Sequence, residues 1–227
     1  MWDVMATKIA VPSKGRLHEP TLDLLEKAGI GIRREDRNSR EYLVNTNMPG
    51  VQVRFLNAAD IPSKLKDRRV DVGITGWDLV VEKGVSGSVE RLRLSFGSCC
   101  IIAATAIERL QEDVESSGKI RVATEFPAIT EEYFKSRGKS AEITILHGAV
   151  EGEIATGDAD MVVTIRDTGA TLIKNKLAER AVLLESSAVI IARNDRVAEL
   201  DDLIKRIYRA DSTMSSRAEG EKREAAD

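Results

Sequence analysis

The chain has 227 residues, 42% of them hydrophobic, with 34 Lys and Arg against 37 Asp and Glu for a formal net charge of -3. That length can bury a substantial core, in one large domain or two small lobes. The balanced charge argues against duplex nucleic acid as a partner, and an aromatic content of 4%, scattered along the chain, lays out no platform for stacking single-stranded bases.

Taken in order, Met1 to Lys8 lacks the basic region followed by an apolar run that marks an export signal. Lys8 to Val11 reads as a first strand. The turn Pro12-Ser13-Lys14-Gly15-Arg16 then sets two cations around a flexible glycine, either a grip for a pyrophosphate or triphosphate or a solvated basic turn. Leu17 to Ala28 is helical, with Leu17, Leu24, Leu25 and Ala28 on one stripe and Gly29 as the stop. Val51 to Leu56 is a strand, Ile61 to Lys66 a short helix near Pro62, and Val70 to Ile74 another strand. In Gly73-Ile74-Thr75-Gly76-Trp77-Asp78 the glycines permit close backbone approach, and Asp78 can cap the next helix or accept from a sugar or base.

Phe96 to Ala104 reads as a buried strand or crossover. Its adjacent Cys99 and Cys100 sit too close along the chain for a relaxed disulfide, so they are taken as reduced thiols. Ile107 to Ser117 is polar, helical or irregular, and Ile120 to Ala123 is a strand. Thr130 is placed as the N-cap of a helix over Glu131 to Ser136, stopped by Gly138. Glu142 to Leu146 is a strand and Val150 to Ala155 a short helix. The turns Thr124 to Pro127 and His147 to Glu151 are weak signals taken singly, Glu151 being readable as an ordinary first-turn acid.

Met161 to Ile165 is an apolar strand running into Arg166-Asp167-Thr168-Gly169-Ala170-Thr171-Leu172. Such a hydroxyl-rich glycine turn opening a helix aims amide hydrogens and the positive end of the helix dipole at an anion, or is a threonine-capped turn with no ligand. Leu183 to Ala192 is one more strand, and Val197 to Tyr208 an amphipathic helix. After Ala210 no apolar period remains, which predicts a disordered tail over 211–227. Strands alternating with helices predict parallel α/β architecture, whose ligand turns gather at the carboxyl edge of the sheet. His18 and His147 lie outside any Cys/His cluster of zinc spacing. With reduced thiols and no segment long enough to cross a bilayer, the expected setting is cytoplasmic.

In combination the blocks Lys14-Gly15-Arg16-Leu17, Asp60-Ile61-Pro62, Asp71 to Gly76 with Asp78, and Asp160 through Leu172 resemble the ATP phosphoribosyltransferase family, which opens histidine biosynthesis; the resemblance runs from about Lys8 to Arg193. It implies a pair of α/β lobes like those of periplasmic solute-binding proteins with the active site in the cleft between them. Residues 1–104 plus 183–210 would form lobe one and 105–182 lobe two. It further implies that N1 of ATP attacks the anomeric carbon of phosphoribosyl pyrophosphate, releasing pyrophosphate with Mg²⁺ as helper. Lys14 and Arg16 would then face pyrophosphate or ATP phosphates, and Glu151 and Asp160 the ribose hydroxyls or a hydrated metal, these four forming the catalytic set. Gly15, Thr75, Gly76 and Asp78 would join the substrate surface, and Asp167, Thr168, Gly169, Ala170 and Thr171 would hold the sugar's 5-phosphate; no metal ligands are assigned.

Three positions depart from the family pattern. Thr164 stands where a second aspartate is usual, Arg166 where an apolar residue is common, and Asn57 where arginine is frequent. On an extended strand Asp160, Val162, Thr164 and Arg166 share a face, so charge near the ribose shifts from negative toward positive. A catalytically weak relative that binds nucleotide or phosphosugar, or regulates, is the second reading. With only a polar tail after Tyr208, the chain resembles the short form that lacks a C-terminal regulatory domain. That form implies a partner subunit resembling histidyl-tRNA synthetase and a homodimer or higher oligomer.

Overall fold

The computed structural model describes residues 6–33, 42–112, 120–167 and 169–224. The chain forms two compact units, Met1–Gly97 with Ser187–Asp227, and Ser98–Ser186. Unit one begins with β1 (Thr7–Pro12), α1 (His18–Lys27), β2 (Ile32–Arg33), β3 (Leu43–Thr46), β4 (Val51–Leu56), α2 (Ile61–Lys66), β5 (Val72–Gly76), α3 (Trp77–Glu82) and β6 (Val89–Arg93). Unit two holds β7 (Cys99–Ala106), β8 (Ile120–Thr124), α4 (Pro127–Ser136), β9 (Ala141–Ile145), α5 (Gly152–Thr156), β10 (Met161–Arg166), α6 (Ala170–Lys174) and β11 (Leu177–Ser186). The chain then returns to unit one for β12 (Ala188–Arg193) and α7 (Val197–Glu224).

The sheet of unit one runs β2-β3-β4-β1-β5-β12-β6, with β4, β1 and β5 parallel and side by side. Its central strands are apolar on both faces because helices cover both. Ile9 and Val11 of β1, with Ala188, Ile190 and Ala192 of β12, pack with Leu24 and Leu25 of α1 and Leu200, Ile204 and Ile207 of α7. The alternate residues Ala10, Val189 and Ile191 pack with Ile61 and Leu65 of α2 and Val80 of α3. Period-two alternation thus assigns each strand residue to one of two cores. Burying each such Ile, Leu or Val contributes about 1.5–3 kcal/mol.

Unit two carries the sheet β11-β7-β10-β8-β9, in which β10, β8 and β9 are parallel and β7 and β11 antiparallel. Ile102, Ala123, Val162 and Leu172 lie in its core. The boundaries differ from those read in sequence. All of β7 pairs within unit two, so the first crossing falls at Gly97/Ser98 and not after Ala104. The run read as one strand over Leu183 to Ala192 is two strands broken at Ser187, where the chain re-enters unit one; the polar Glu185-Ser186-Ser187 between two apolar stretches marks the break.

Two helices also differ. α4 starts at Pro127, and Thr130 lies inside it with its hydroxyl donating to the Phe126 carbonyl at 2.7 Å rather than capping. α7 continues to Glu224 where a disordered tail was expected. Leu200, Ile204, Ile207 and Ala210 form its buried stripe, and buried Asp211 accepts hydrogen bonds from the Ser95 backbone N–H and hydroxyl, both at 2.8 Å. Past that anchor the Arg, Ala, Glu and Lys content favours helix without needing an apolar face. Among the described residues no helix is long and apolar enough to cross a membrane.

Candidate active site

In unit one the turns after β1, β4 and β5 leave from the same edge, since the three strands are parallel neighbours. The turn after β1 is tied down by Ser13 N–H donating to the Leu56 carbonyl at 2.7 Å and by His18, whose Nδ1 donates to the Pro12 carbonyl at 2.6 Å. A carbonyl only accepts, so the geometry selects the Nδ1–H tautomer. Lys14, Gly15 and Arg16 are exposed on this turn, and Arg16 Nη1 donates to the Gly97 carbonyl at 2.6 Å.

Thr75 and Asp78, expected on the substrate surface, are buried beneath it. The Thr75 hydroxyl donates to the Ala58 carbonyl at 2.8 Å and so fastens the turn after β4 to β5. Gly76 starts α3 immediately under the Asp78 carboxylate, where a Cβ would collide with that group. These three residues therefore brace the turns at the end of β5 from within. Asn57 caps the short turn Ala58–Asp60 by accepting from the Ala59 N–H at 3.2 Å.

In unit two the turns after β8, β9 and β10 likewise share one edge. The Thr124 hydroxyl, buried at the end of β8, donates to the Val163 carbonyl at 2.9 Å and accepts from the Phe126 N–H at 2.8 Å, locking the first of these turns to β10. In the second, the Glu125 carboxylate lies 3.8 Å from the Cβ position of Gly148, and Ala149 sits at φ 53. A non-glycine residue there stores about 1–3 kcal/mol of strain, a cost that clusters at ligand clamps. Glu151 follows at the start of α5.

The third turn is the glycine turn expected to take a phosphate. Asp167, Ala170 and Thr171 are exposed and Gly169 half-buried; Thr168 lies outside the described residues. Gly169 takes the left-handed conformation (φ 80, ψ -5) and nothing stands within 4 Å of its Cβ position. The first helical bond runs from Ile173 N–H to the Gly169 carbonyl at 3.3 Å. The amides of Thr171 and Leu172 lie in the first turn of α6, ahead of that bond.

Thr164, at 6% exposure, donates its hydroxyl to Glu151 Oε1 at 3.3 Å, joining the second turn to the strand that feeds the third. Sequence reading named both residues without linking them. Arg166 is neutralised by Glu179 of β11 at 2.7 Å, a close electrostatic contact rather than a well-directed hydrogen bond. Glu179 thus offsets the charge of Arg166, while Thr164 carries none.

Asp160, expected in the catalytic set, makes its contacts elsewhere. It precedes β10, and the glycine turn follows it, so the strand separates them by ~20 Å. Its carboxylate receives Arg121 through the backbone N–H (3.2 Å), Nε (3.1 Å) and Nη2 (2.9 Å), and Arg109 Nη1 at 3.1 Å. The Arg121 hydrogen bond leads the effects that bring the Asp160 pKa from 3.8 down to about 2. Strand periodicity put Asp160 on the face of Thr164 but could not say that two arginines occupy it. Because the folded pKa is depressed, this stabilisation is present above the unfolded value and is lost as pH falls from 4 toward 2. Asp160→Asn is expected to lower stability at neutral pH by about 1 kcal/mol after solvent screening, with kcat/KM held within about twofold. Thermal melts from pH 2 to 7 beside steady-state kinetics check this; a large loss of kcat with an unchanged melt would return Asp160 to the catalytic set.

Comparison with known proteins shows the family and the fold. A sequence model of the ATP phosphoribosyltransferase family matches residues 57–210. The ATP phosphoribosyltransferase of Methanopyrus kandleri is 42% identical over 200 residues, covering 88% of this chain and 69% of that protein. The enzyme of the same name from Methanothermobacter thermautotrophicus is 39% identical over 207 residues, covering 89% and 70%. Among solved structures, the ATP phosphoribosyl transferase (HisG:HisZ) complex from Thermotoga maritima has a chain that superposes with a TM-score of 0.78 at 24% identity, covering 91% of this chain and 99% of that one. The substrate binding protein of an amino acid ABC transporter superposes with a TM-score of 0.60 at 11% identity, covering 96% of each chain, which is a likeness of fold.

Proposed function

Because the chain belongs to the ATP phosphoribosyltransferase family, we propose that its two sets of carboxyl-edge turns divide the substrates of that reaction between them. The enzyme joins ATP to phosphoribosyl pyrophosphate, N1 of the adenine attacking the anomeric carbon as pyrophosphate leaves. Asp167 to Thr171 take the 5-phosphate, and Glu151, held by Thr164, accepts from the ribose hydroxyls. Lys14, Gly15 and Arg16 take pyrophosphate or nucleotide phosphates, Arg16 by leaving the Gly97 carbonyl. The observation that carries this reading is the left-handed Gly169 with open space over it and helix amides beyond it.

Little covalent work falls to the protein. Holding two polyanions in register and stabilising the leaving pyrophosphate account for most of the acceleration. Among the described residues no three His, Cys, Asp or Glu side chains converge as a metal site. Mg²⁺ would enter with the substrate, held by the oxygens of the pyrophosphate, and would neutralise charge on the leaving group. The Thermotoga maritima relative was solved as a HisG:HisZ complex, which supports a second subunit as partner; its likeness to histidyl-tRNA synthetase and a homodimer of this chain rest on the family resemblance. The free thiols of Cys99 and Cys100 suit a cytoplasmic setting.

Purified chain given ATP, phosphoribosyl pyrophosphate and Mg²⁺ is expected to release pyrophosphate and form phosphoribosyl-ATP, alone or with the partner subunit. Tight binding of either substrate with no product under both conditions would favour a binding or regulatory module instead.

A further inference from the structure

The last residue of β1 presents a polar group that the sheet does not pair. Ser13 N–H donates to the Leu56 carbonyl of β4 at 2.7 Å. The two polar groups of a trans peptide point opposite ways, so the Pro12 carbonyl turns away from β4 toward the β5 side. The register of β1 with β5 runs only over Ile9 with Val72 and Ala10 with Gly73. Pro12 is buried, and a buried carbonyl left without a donor costs about as much as a lost hydrogen bond. His18, the first residue of α1, supplies that donor from Nδ1 at 2.6 Å.

The same residue closes the turn a second time. His18 N–H donates to the Gly15 carbonyl at 3.0 Å, and Gly15 takes the left-handed conformation, φ 83, that lets the chain double back. Exposed Lys14 therefore sits between Ser13, bonded to β4, and Gly15, bonded to His18, inside the loop that the imidazole closes. The His18 side chain is 21% exposed and stands edge-to-face with buried Phe55 of β4, ring centroids 6.2 Å apart, so packing fixes the ring. Glu19 stands 3.7 Å from Nε2, beyond hydrogen-bond reach, which leaves the bond to Pro12 as the firm polar contact of the imidazole.

We infer that His18 is the positioning residue for Lys14, holding the turn after β1 in the shape from which the ammonium group meets a polyanion. This rests on the reading above that the turn takes phosphates, and it names the side chain on which that grip depends. A lysine is a point charge on a flexible stem, so the protein can preset only the backbone from which the stem leaves. Without the imidazole the Pro12 carbonyl has to turn out to water, and the peptides of Ser13 and Lys14 turn with it. His18 reaches the substrate only through Lys14, and its loss is therefore felt in the binding of one substrate rather than in turnover.

Steady-state kinetics on the full chain, with the partner subunit where activity needs one, is expected to show Lys14→Ala raising KM about tenfold for the substrate whose phosphates the turn holds. His18→Phe, which keeps a ring against Phe55 but offers no donor, should raise the KM of that same substrate about tenfold, with kcat and the other KM within about threefold. His18→Asn, whose Nδ2 lies as many bonds from Cα as Nδ1 does, should return that KM to within about threefold of wild type. Because both residues act on one contact, adding His18→Phe to Lys14→Ala should cost less than about twofold more. A wild-type KM in natively melting His18→Phe, a His18→Phe chain that fails to fold, His18→Asn as impaired as His18→Phe, or effects that multiply in the double variant would each overturn the positioning role and leave the reading of the turn standing. Lys14→Ala with both KM values unchanged would overturn that reading, and the role of His18 with it.

Discussion

Replacing Gly169 with valine is expected to weaken binding of phosphoribosyl pyrophosphate about 100-fold while the chain still folds. The residue sits at φ 80 with no protein atom near its Cβ position, so the objection to valine is conformational rather than steric. A β-branched residue in the left-handed region costs about 1–2 kcal/mol, and the backbone escapes by turning the following amides away from the ligand. Losing two charge-assisted hydrogen bonds to a phosphate, worth about 1.5–3 kcal/mol each, more than covers the ~2.7 kcal/mol that a hundredfold represents. KM for phosphoribosyl pyrophosphate should rise while the ATP dissociation constant moves less than about threefold, and a thermal melt should report the modest strain. An unchanged KM in a natively melting variant would remove the glycine turn from the site.

The Thr164→Asp variant restores the acid usual in the family and is nevertheless expected to lose about tenfold in kcat/KM for phosphoribosyl pyrophosphate at neutral pH. Thr164 is buried and donates to Glu151. An ionised aspartate has no proton to donate and sets a second carboxylate against the first, so the pair holds a shared proton and titrates with one raised apparent pKa. The sign follows: a carboxyl raised in the folded state costs stability once pH exceeds its unfolded value near 4, so the penalty is small in acid and reaches about 2 kcal/mol by neutral pH. Added Mg²⁺ should recover part of the loss by neutralising the pair, and Thr164→Ser, which keeps the hydroxyl, should stay close to wild type. Higher turnover in Thr164→Asp at neutral pH would instead mark Thr164 as a lesion in a decaying site.

How far the sequence reached depended on the range of the interaction. Strand and helix order along β1, β4, β5, β8 and β10 was readable because apolar periodicity and turn glycines are local signals. The carboxyl-edge turns at Lys14, Thr75 and Gly169 followed from that order. The short strands β2 and β3 escaped notice because two and four residues carry too little pattern, and β6 because its Glu and Arg residues interrupt the apolar alternation. Contacts distant in sequence were invisible. Asp160 is claimed by Arg109 and Arg121, 51 and 39 residues earlier, and Thr75 is spent on Ala58, 17 residues earlier. A motif fixes which residue stands at a position, but only tertiary structure shows whether its polar atoms remain available. Thr164 makes the same point in reverse: it reads as a lost charge, and in three dimensions it is a tether for Glu151.

The double crossing at Gly97/Ser98 and Ser186/Ser187 also orders events during synthesis. Unit two is encoded by one uninterrupted stretch, so all its strands have emerged before the chain returns to unit one. The sheet of unit one lacks its strand between β5 and β6 until β12 has been made, because β12 pairs with both. Until then β5 and β6 each present an unpaired backbone edge with no strand to join them. Sequence-distant pairing of this kind slows folding and lengthens exposure to aggregation. The later half of the gene thus closes the earlier half of the protein, and a ribosome stalled within unit two leaves a completed N-terminal segment that cannot finish its own sheet.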